Sequence, residues 1–315
     1  MEEKTKVGFV FPGQGSQYVG MGRELFEQFA VAKQVFMEAE EALGCPLRRL
    51  CFSGPDAELK LTENTQPAIL AVSVAAFRVL ESESPTKAFC VAGHSLGEYS
   101  ALVCVGALSF ADTLRIVQAR GRLMQEAVPH GEGSMAAILG LGTQEIQSVC
   151  DEACDGEVVA PANFNGGGQI VIAGRKSAVL RAMALARQKG ARRALELPVS
   201  APFHCPLMVP ASEGLGRLLA DVPVQPFMTG VITNVEAEVN LDQNRVKPLL
   251  VEQVVRPVRW EESVQHMEEL GCHRVLEVGP GRVLSGLIKR IDPSLEVNKV
   301  ENPEDIENFI TNSGP

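Results

Sequence analysis

This chain lacks three things that would place it in a specialised class: a C-x-x-C pair, an apolar run long enough to cross a bilayer, and an excess of basic residues. Its eight cysteines are scattered singly apart from Cys150 and Cys154, so they read most simply as small buried apolar residues in a reducing compartment. A zinc site built from that pair and a distant histidine is the weaker reading. The longest apolar stretch, residues 67–79, is too short to span and carries Ser73 and Arg78, so no membrane partner is expected. With 29 basic against 39 acidic side chains and a net charge of -10, the balance argues against general nucleic-acid binding and no polynucleotide partner is expected, while a local basic patch is not excluded. The opening MEEKTK is charged and runs straight into a strand-like VGFVF, so neither a secretory nor a transit peptide is expected, and the location reads as cytoplasmic.

What is present is an ordinary globular composition, 45% hydrophobic over 315 residues, enough for one large domain or two. The stretch FCVAGHSLGEYSALVC, residues 89–104, organises the rest. An apolar strand ends at Gly93, and a helical pattern resumes at Glu98. Gly93 and Gly97 bracket Ser95 in G-x-S-x-G, the pattern of a nucleophile elbow, in which missing β-carbons let the chain turn sharply and hold the serine clear of the sheet. Ser95 is the candidate nucleophile. Its place at a helix N-terminus favours developing negative charge, and the N–H of Leu96 is a candidate oxyanion donor. The plainer reading is a glycine-rich turn whose serine caps a helix; the flanking strand and helix favour the elbow.

Upstream, a strand at 7–11 runs into PGQGSQ, where Gly13 and Gly15 permit close approach. The N–H of Gln14 becomes a second oxyanion donor if this loop lies beside the elbow. It is no dinucleotide fingerprint, since the third glycine is replaced by Tyr18. Helical patterns follow at 23–43 and 66–80. In the helix expected at 111–128, Arg120 falls on the apolar stripe of Ile116, Val117 and Met124, whereas Arg122 has Glu126 one turn on. A guanidinium on a core-facing stripe must meet an anion, snorkel out, or wait for one from a ligand. Spacing does not choose among these.

Residues 134–197 read as strand, helix, strand, GGG turn, strand, helix, strand: the split-βαβ order of a ferredoxin-like unit. Strands at 231–235 and 274–279 and the helices between complete an α/β sheet. The resulting expectation is an α/β-hydrolase-like core with a nucleophile elbow, discontinuous over residues 1–130 and 200–315, with a ferredoxin-like small subdomain inserted at 131–199. The groove between the two is the natural site. At its edge, in PVSAPFHCP, Pro202 and Pro206 stiffen a loop that carries His204, the best of five histidines as a general base. His94 adjoins Ser95, where neighbours at a turn point apart. Cys205 reads as a packed thiol. The tail beyond Pro293 is acidic and polar and carries no clear signal.

FPGQGSQ, GHSLGEYSAL, QARGRLMQEAV, GSMAAILGL, NFNGGGQIVIAG, PVSAPFHC and EVGPGRVLSGLIKRI, taken together and in that order, resemble the malonyl-CoA:acyl carrier protein transacylases of bacterial type II fatty acid synthesis, from residue 7 to about 290. The resemblance implies a Ser95–His204 dyad, an oxyanion hole from the N–H groups of Gln14 and Leu96, and Arg120 gripping the malonyl carboxylate. It also implies that a main-chain carbonyl, here that of Gln253, orients the imidazole in place of a carboxylate. Phe203 resembles the residue that accompanies malonyl over methylmalonyl selection in related polyketide enzymes. The triple glycine 166–168 departs from the small residues usual there. The implied partners are malonyl-CoA and acyl carrier protein, the implied state is a monomer, and no metal or redox cofactor is needed. Carrier docking would use a local basic surface, with Lys189, Arg192, Arg193, Lys289 and Arg290 as candidates. Two other readings stay open: a serine hydrolase, for which Asp112, Asp151 and Asp155 are the available acids, and a non-catalytic carrier-binding module.

Overall fold

The computed structural model describes residues 6–199 and 201–312; the expected outer limits of the larger body, residues 1 and 315, and its re-entry point at Ser200 lie outside these. The fold is mixed α/β, and the described strands form two sheets. The larger contains β1 (Val7–Phe11), β2 (Cys90–Gly93), β7 (Gly230–Ile232), β8 (Val239–Asn240), β9 (Arg274–Val278) and β10 (Glu296–Val300), in the order β10-β9-β1-β2-β7-β8. All pairings are parallel except that of β7 with β8. Every residue of β1, β2 and β9 is buried; β1 and β2 are apolar throughout, while β9 buries Glu277 on hydrogen bonds from Leu284 and Ser285.

The smaller sheet holds β3 (Gly133–Leu139), β4 (Val159–Phe164), β5 (Gln169–Arg175) and β6 (Arg193–Glu196), antiparallel throughout, in the order β4-β5-β3-β6. On β3 and β5 the side chains alternate, while β4 slips register between Pro161 and Asn163. Ala136, Ile138, Ile170 and Ile172 pack under the helices Thr143–Ala153 and Lys176–Gln188, while Met135, Ala137, Val171 and Ala173 join the core of the larger body. Two main-chain bonds, Phe164 N–H to Val258 O and Val258 N–H to Ala162 O, both 2.9 Å, tie β4 to the larger body beside the groove.

Several local expectations are corrected. The helix expected at 23–43 is two, Arg23–Gln28 and Ala30–Leu43, because Phe29 adopts extended angles and packs against the core between them. The next begins four residues early: Thr62–Glu83 contains Pro67, and fifteen of its 22 residues are buried, so tertiary burial overrides the missing N–H. The strand expected at 231–235 stops at Ile232, which frees Thr233 and Asn234 to turn beneath the elbow. The tail is structured, as edge strand β10 and helix Pro303–Asn312, whose Ile306 and Phe309 are buried. Arg122 pairs with Glu63 at 3.2 Å across to the neighbouring helix rather than with Glu126.

Candidate active site

The chain leaves β2 at Gly93, turns through Ser95, and enters the helix Leu96–Cys104. A β-carbon on Gly93 would lie 1.9 Å from the carbonyl carbon of Gly97, and one on Gly97 would lie 2.0 Å from Phe11 O, so the elbow closes only with glycine at both positions. Gly13 is equally constrained: its β-carbon would sit 2.3 Å from His94 O, which puts PGQGSQ directly on the elbow. Ser95 has φ 53° and His204 φ 58°, two of four non-glycine residues at positive φ among those described. Both are held in strained backbone by the packing around them.

Those two strained residues meet. Ser95 Oγ and His204 Nε2 are 2.8 Å apart, and His204 Nδ1 lies 2.8 Å from the main-chain carbonyl of Gln253, which makes Nδ1 the protonated nitrogen and leaves Nε2 as acceptor for the hydroxyl. Arg120, 1% exposed, donates from Nη2 to Ser95 Oγ at 3.1 Å and to Gln253 Oε1 at 2.9 Å, and from Nη1 to Gln66 Oε1 at 2.8 Å. Its face lies over the Tyr99 ring, 5.3 Å from the centroid. No carboxylate pairs with it directly among the described residues; its acceptors are neutral, so it neither snorkels nor makes the internal ion pair that the sequence left open.

Burial, and then the Arg120 charge, lower the His204 pKa to about 3, so the imidazole is neutral near pH 7. Burial lowers His94 as well. That residue takes no part at Ser95; its Nε2 bonds Asn165 Oδ1 at 2.9 Å and its ring packs on Trp260. Cys205 is an inert thiol, pushed up to about 12 by burial and bonded to Pro202 O. Asp112 caps its own helix with Ser109, and Asp151 and Asp155 belong to the smaller body. None of the three meets His204, whose Nδ1 partner is the Gln253 carbonyl.

Gln14, Leu96, Arg120, Met124, Phe203 and His204 are among the lining of a cavity of about 120 Å³ at Ser95. Among the described residues, the main-chain N–H groups of Gln14 and Leu96 find no acceptor. A larger groove of about 560 Å³ shares Gln14, His94, Asn163, Leu197 and Val199 as walls and reaches Arg290. It runs between the two sheets, where the sequence placed the site.

Sequence reasoning missed the polar floor. Asn234 Oδ1 accepts the Ser95 N–H at 2.7 Å, and its Nδ2 donates to Gly93 O at 2.6 Å, stapling the elbow from below. Glu98, 2% exposed, accepts from Gln253 Nε2 at 2.8 Å and from Asn234 N–H at 3.0 Å. Gln253 therefore serves through its side chain as well as its carbonyl, with Nε2 also 3.0 Å from Ser95 O. An acid three residues past the serine in GHSLGE was the available signal, masked because acids are common in any first helical turn.

A family model described as an acyl transferase domain matches residues 8–301. The malonyl CoA-acyl carrier protein transacylase of Escherichia coli strain K12 is 47% identical over 299 residues, covering 95% of this chain and 97% of its own. The solved malonyl CoA-acyl carrier protein transacylase of Coxiella burnetii superposes with a TM-score of 0.96 at 44% identity, covering 98% of each chain. A solved malonyl-transacylase in complex with its type II PKS acyl-carrier protein does so with 0.96 at 44% identity, over 98% of this chain and all of that one. With a glycine-locked serine, its histidine and a buried arginine on one oxygen atom, and with this likeness along nearly its whole length, the chain belongs to the malonyl-CoA:acyl carrier protein transacylase family of acyl transferases.

Proposed function

We propose that the protein transfers the malonyl group from malonyl-CoA to the phosphopantetheine thiol of acyl carrier protein through a malonyl ester on Ser95, supplying extender units for fatty acid synthesis. The observation that carries this reading is the convergence of an imidazole and a guanidinium on one hydroxyl, His204 Nε2 at 2.8 Å and Arg120 Nη2 at 3.1 Å from Ser95 Oγ. Ser95 Oγ attacks the thioester carbonyl while Nε2 of His204 takes its proton; the Gln253 carbonyl holds the tautomer and orientation. The N–H groups of Gln14 and Leu96 receive the oxyanion. Collapse expels the coenzyme A thiolate, which leaves with the proton from His204. The carrier thiol then enters, gives its proton to Nε2, and reverses the sequence. Arg120 pairs with the malonyl carboxylate in a site screened from water, a contact that a simple acetyl group lacks. Thioester is exchanged for ester and back with no change of oxidation state, so the scheme calls for no redox partner.

In this reading the parallel sheet and its helices are an α/β-hydrolase-like catalytic body, residues 1–130 and 200–315, and the antiparallel sheet is a ferredoxin-like subdomain, 131–199. The strand order β4-β5-β3-β6 and its separate apolar cluster support that division. Of the basic candidates for carrier docking, Arg290 is favoured, since it lines the larger groove, whereas Lys189 is engaged with Glu152. A cytoplasmic monomer without nucleic-acid or membrane partners fits the acidic charge and the free state of all eight cysteines. No described helix is long and apolar enough to cross a membrane.

Intact-mass spectrometry after incubation with malonyl-CoA tests the reading. One malonyl group should be gained by the wild type and none by Ser95→Ala, and the adduct should persist until a carrier thiol is added. Rapid loss to water would point to a hydrolase, and no adduct at all would point to a non-catalytic binding module.

A further inference from the structure

The mechanism above does not use Glu98, a buried carboxyl at the start of the elbow helix. Glu98 lies under the elbow and is linked to Arg120 by a single side chain: Arg120 Nη2 donates to Gln253 Oε1 at 2.9 Å, and Gln253 Nε2 donates to Glu98 Oε2 at 2.8 Å. The Gln253 amide is thus aligned between a cation and an anion, its oxygen toward one and its nitrogen toward the other. The same residue's main-chain carbonyl fixes His204. We infer that Glu98 is the buried counter-charge of Arg120 and a positioning residue acting through Gln253: ionised in the unacylated enzyme, it takes a proton from solvent when a malonyl carboxylate comes to rest on Arg120.

The argument is one of charge in a dry site. Arg120 and Glu98 are each almost wholly buried, and together they are neutral. A malonyl carboxylate would leave two anions sharing one guanidinium, and like charges in a low-dielectric pocket do not both stay ionised. The malonyl carboxylate keeps direct contact with the guanidinium, so Glu98, one amide away, is the group that yields. Burial already pushes its carboxyl up to about 7, against the opposing pull of Gln253, Asn234 and Arg120, so a modest further anion suffices.

Among the described residues, the elements packed around Glu98 supply no competing group. Helix Phe110–Glu126 contributes Arg120, helix Thr62–Glu83 the neutral Gln66, the turn after β7 Asn234, and helix Gln243–Gln253 its last residue. On its own helix the neighbour is Tyr99, whose hydroxyl burial pushes up to about 12. Strands β1 and β2 present apolar residues and glycines, with Cys90 the one titratable side chain, its thiol pushed far upward. His204 is neutral near pH 7 and does not titrate there.

This inference rests on the acyl-transfer reading, and its test separates the two. Acylation itself is proton-neutral near pH 7.5: the Oγ–acyl bond forms, the C–S bond breaks, and the serine proton ends on the coenzyme A thiol. Any proton taken up belongs to a titrating side chain. Malonyl-CoA is mixed with enzyme in weakly buffered solution containing a pH-indicator dye, and the malonyl mass is measured on the same sample. About half a proton or more should be taken up per malonyl group by the wild type, and none by Glu98→Gln, which keeps an acceptor oxygen for Gln253. In parallel, KM for malonyl-CoA should rise above pH 7, approaching about tenfold per unit in the wild type, and stay flat in Glu98→Gln. A wild type that gains the mass without taking up protons overturns the counter-charge role and leaves acyl transfer standing, even if the variant fails to fold. Equal uptake by both proteins overturns it as well. No gain of mass by the wild type overturns both readings.

Discussion

The two sheets of this molecule bury different things. Under the helices of the antiparallel sheet the core is aliphatic and close to generic: Ile138, Ile146, Val149, Ile170 and Ile172 pack with alanines, and its polar groups stay outside. Under the parallel sheet, at the elbow, burial takes in Glu98, Arg120, His204, Asn234 and Gln253, all 3% exposed or less. Buried polar groups cost free energy unless each finds a partner, so the second region is stable only as a connected network, while the first tolerates change residue by residue. The difference separates scaffold from chemistry. Substitutions in the aliphatic core should lower stability and leave the reaction intact; substitutions in the polar floor should cost reaction first.

The largest expected effects are at the dyad. His204→Ala removes the base and should slow malonyl-enzyme formation by about a hundredfold to ten-thousandfold, with a melting temperature close to the wild type's. A stopped-flow acylation rate reduced less than about tenfold would break the assignment. Gly97→Ala adds one carbon where Phe11 O already stands, so it should abolish acylation through displacement of the elbow itself. Gly286→Ala, where no neighbour lies within 4 Å of the added carbon, is the matched control and should acylate normally.

Next is Arg120. Arg120→Ala should cost malonyl transfer about 3–5 kcal/mol in kcat/KM, the penalty of leaving a carboxylate unpaired in a dry site, while acylation by p-nitrophenyl acetate should change little. Equal losses on both would make Arg120 a structural member of the network instead of the acid's receptor. The same variant carries a pH signature. Burial and the Arg120 charge hold His204 at about 3, so base function in the wild type is lost only as pH falls through that low value. Removing the positive charge stabilises imidazolium, so the pKa rises and the acid limb of the acetate reaction should move to higher pH. A limb that stays put, or moves down, would mean that Arg120 does not govern the imidazole.

How much of this was legible in advance follows the same division. The smaller body's order of elements could be read because its pattern is local: short apolar runs such as Met135 to Leu139, bounded by glycines at the turns, mark each strand without reference to distant residues. Ser95 and Arg120 were legible because glycine spacing and a charge on an apolar stripe each violate a local rule. Glu98, Asn234 and the side chain of Gln253 were not. Each is an unremarkable residue in its own segment, and its meaning exists only through partners 136, 139 and 155 residues away. The tail gave no clear signal for a related reason. Strand β10 is an edge strand, with Glu296 exposed and Val300 buried, so it lacks the continuous apolar run of β1.

The smaller body supplies the next step down. Ile172→Ala, at a residue with no exposure, should cost about 2–5 kcal/mol of stability by the cavity it leaves, read as a lower denaturation midpoint. At 25 °C the folded variant should still take up one malonyl group at close to the wild-type rate. A rate that fell with stability would mean that the groove wall formed by this sheet positions substrate more tightly than its generic core suggests, and the contrast between the two regions would weaken.

The smallest effect should come from Arg256, three residues beyond Gln253. Its guanidinium is exposed and pairs with Glu252, at 3.1 Å on the helix surface. Exposed pairs of this kind contribute little because water screens the charges and holding two long side chains costs entropy. Arg256→Ala should therefore stay within about 0.5 kcal/mol of wild-type stability and leave the acid limb of the acetate reaction where it is. Proximity in sequence to the carbonyl that orients His204 would otherwise suggest a role. If the limb shifts, the field of an exposed cation reaches the buried imidazole, and the separation between a shielded polar floor and a solvated exterior fails at its nearest point.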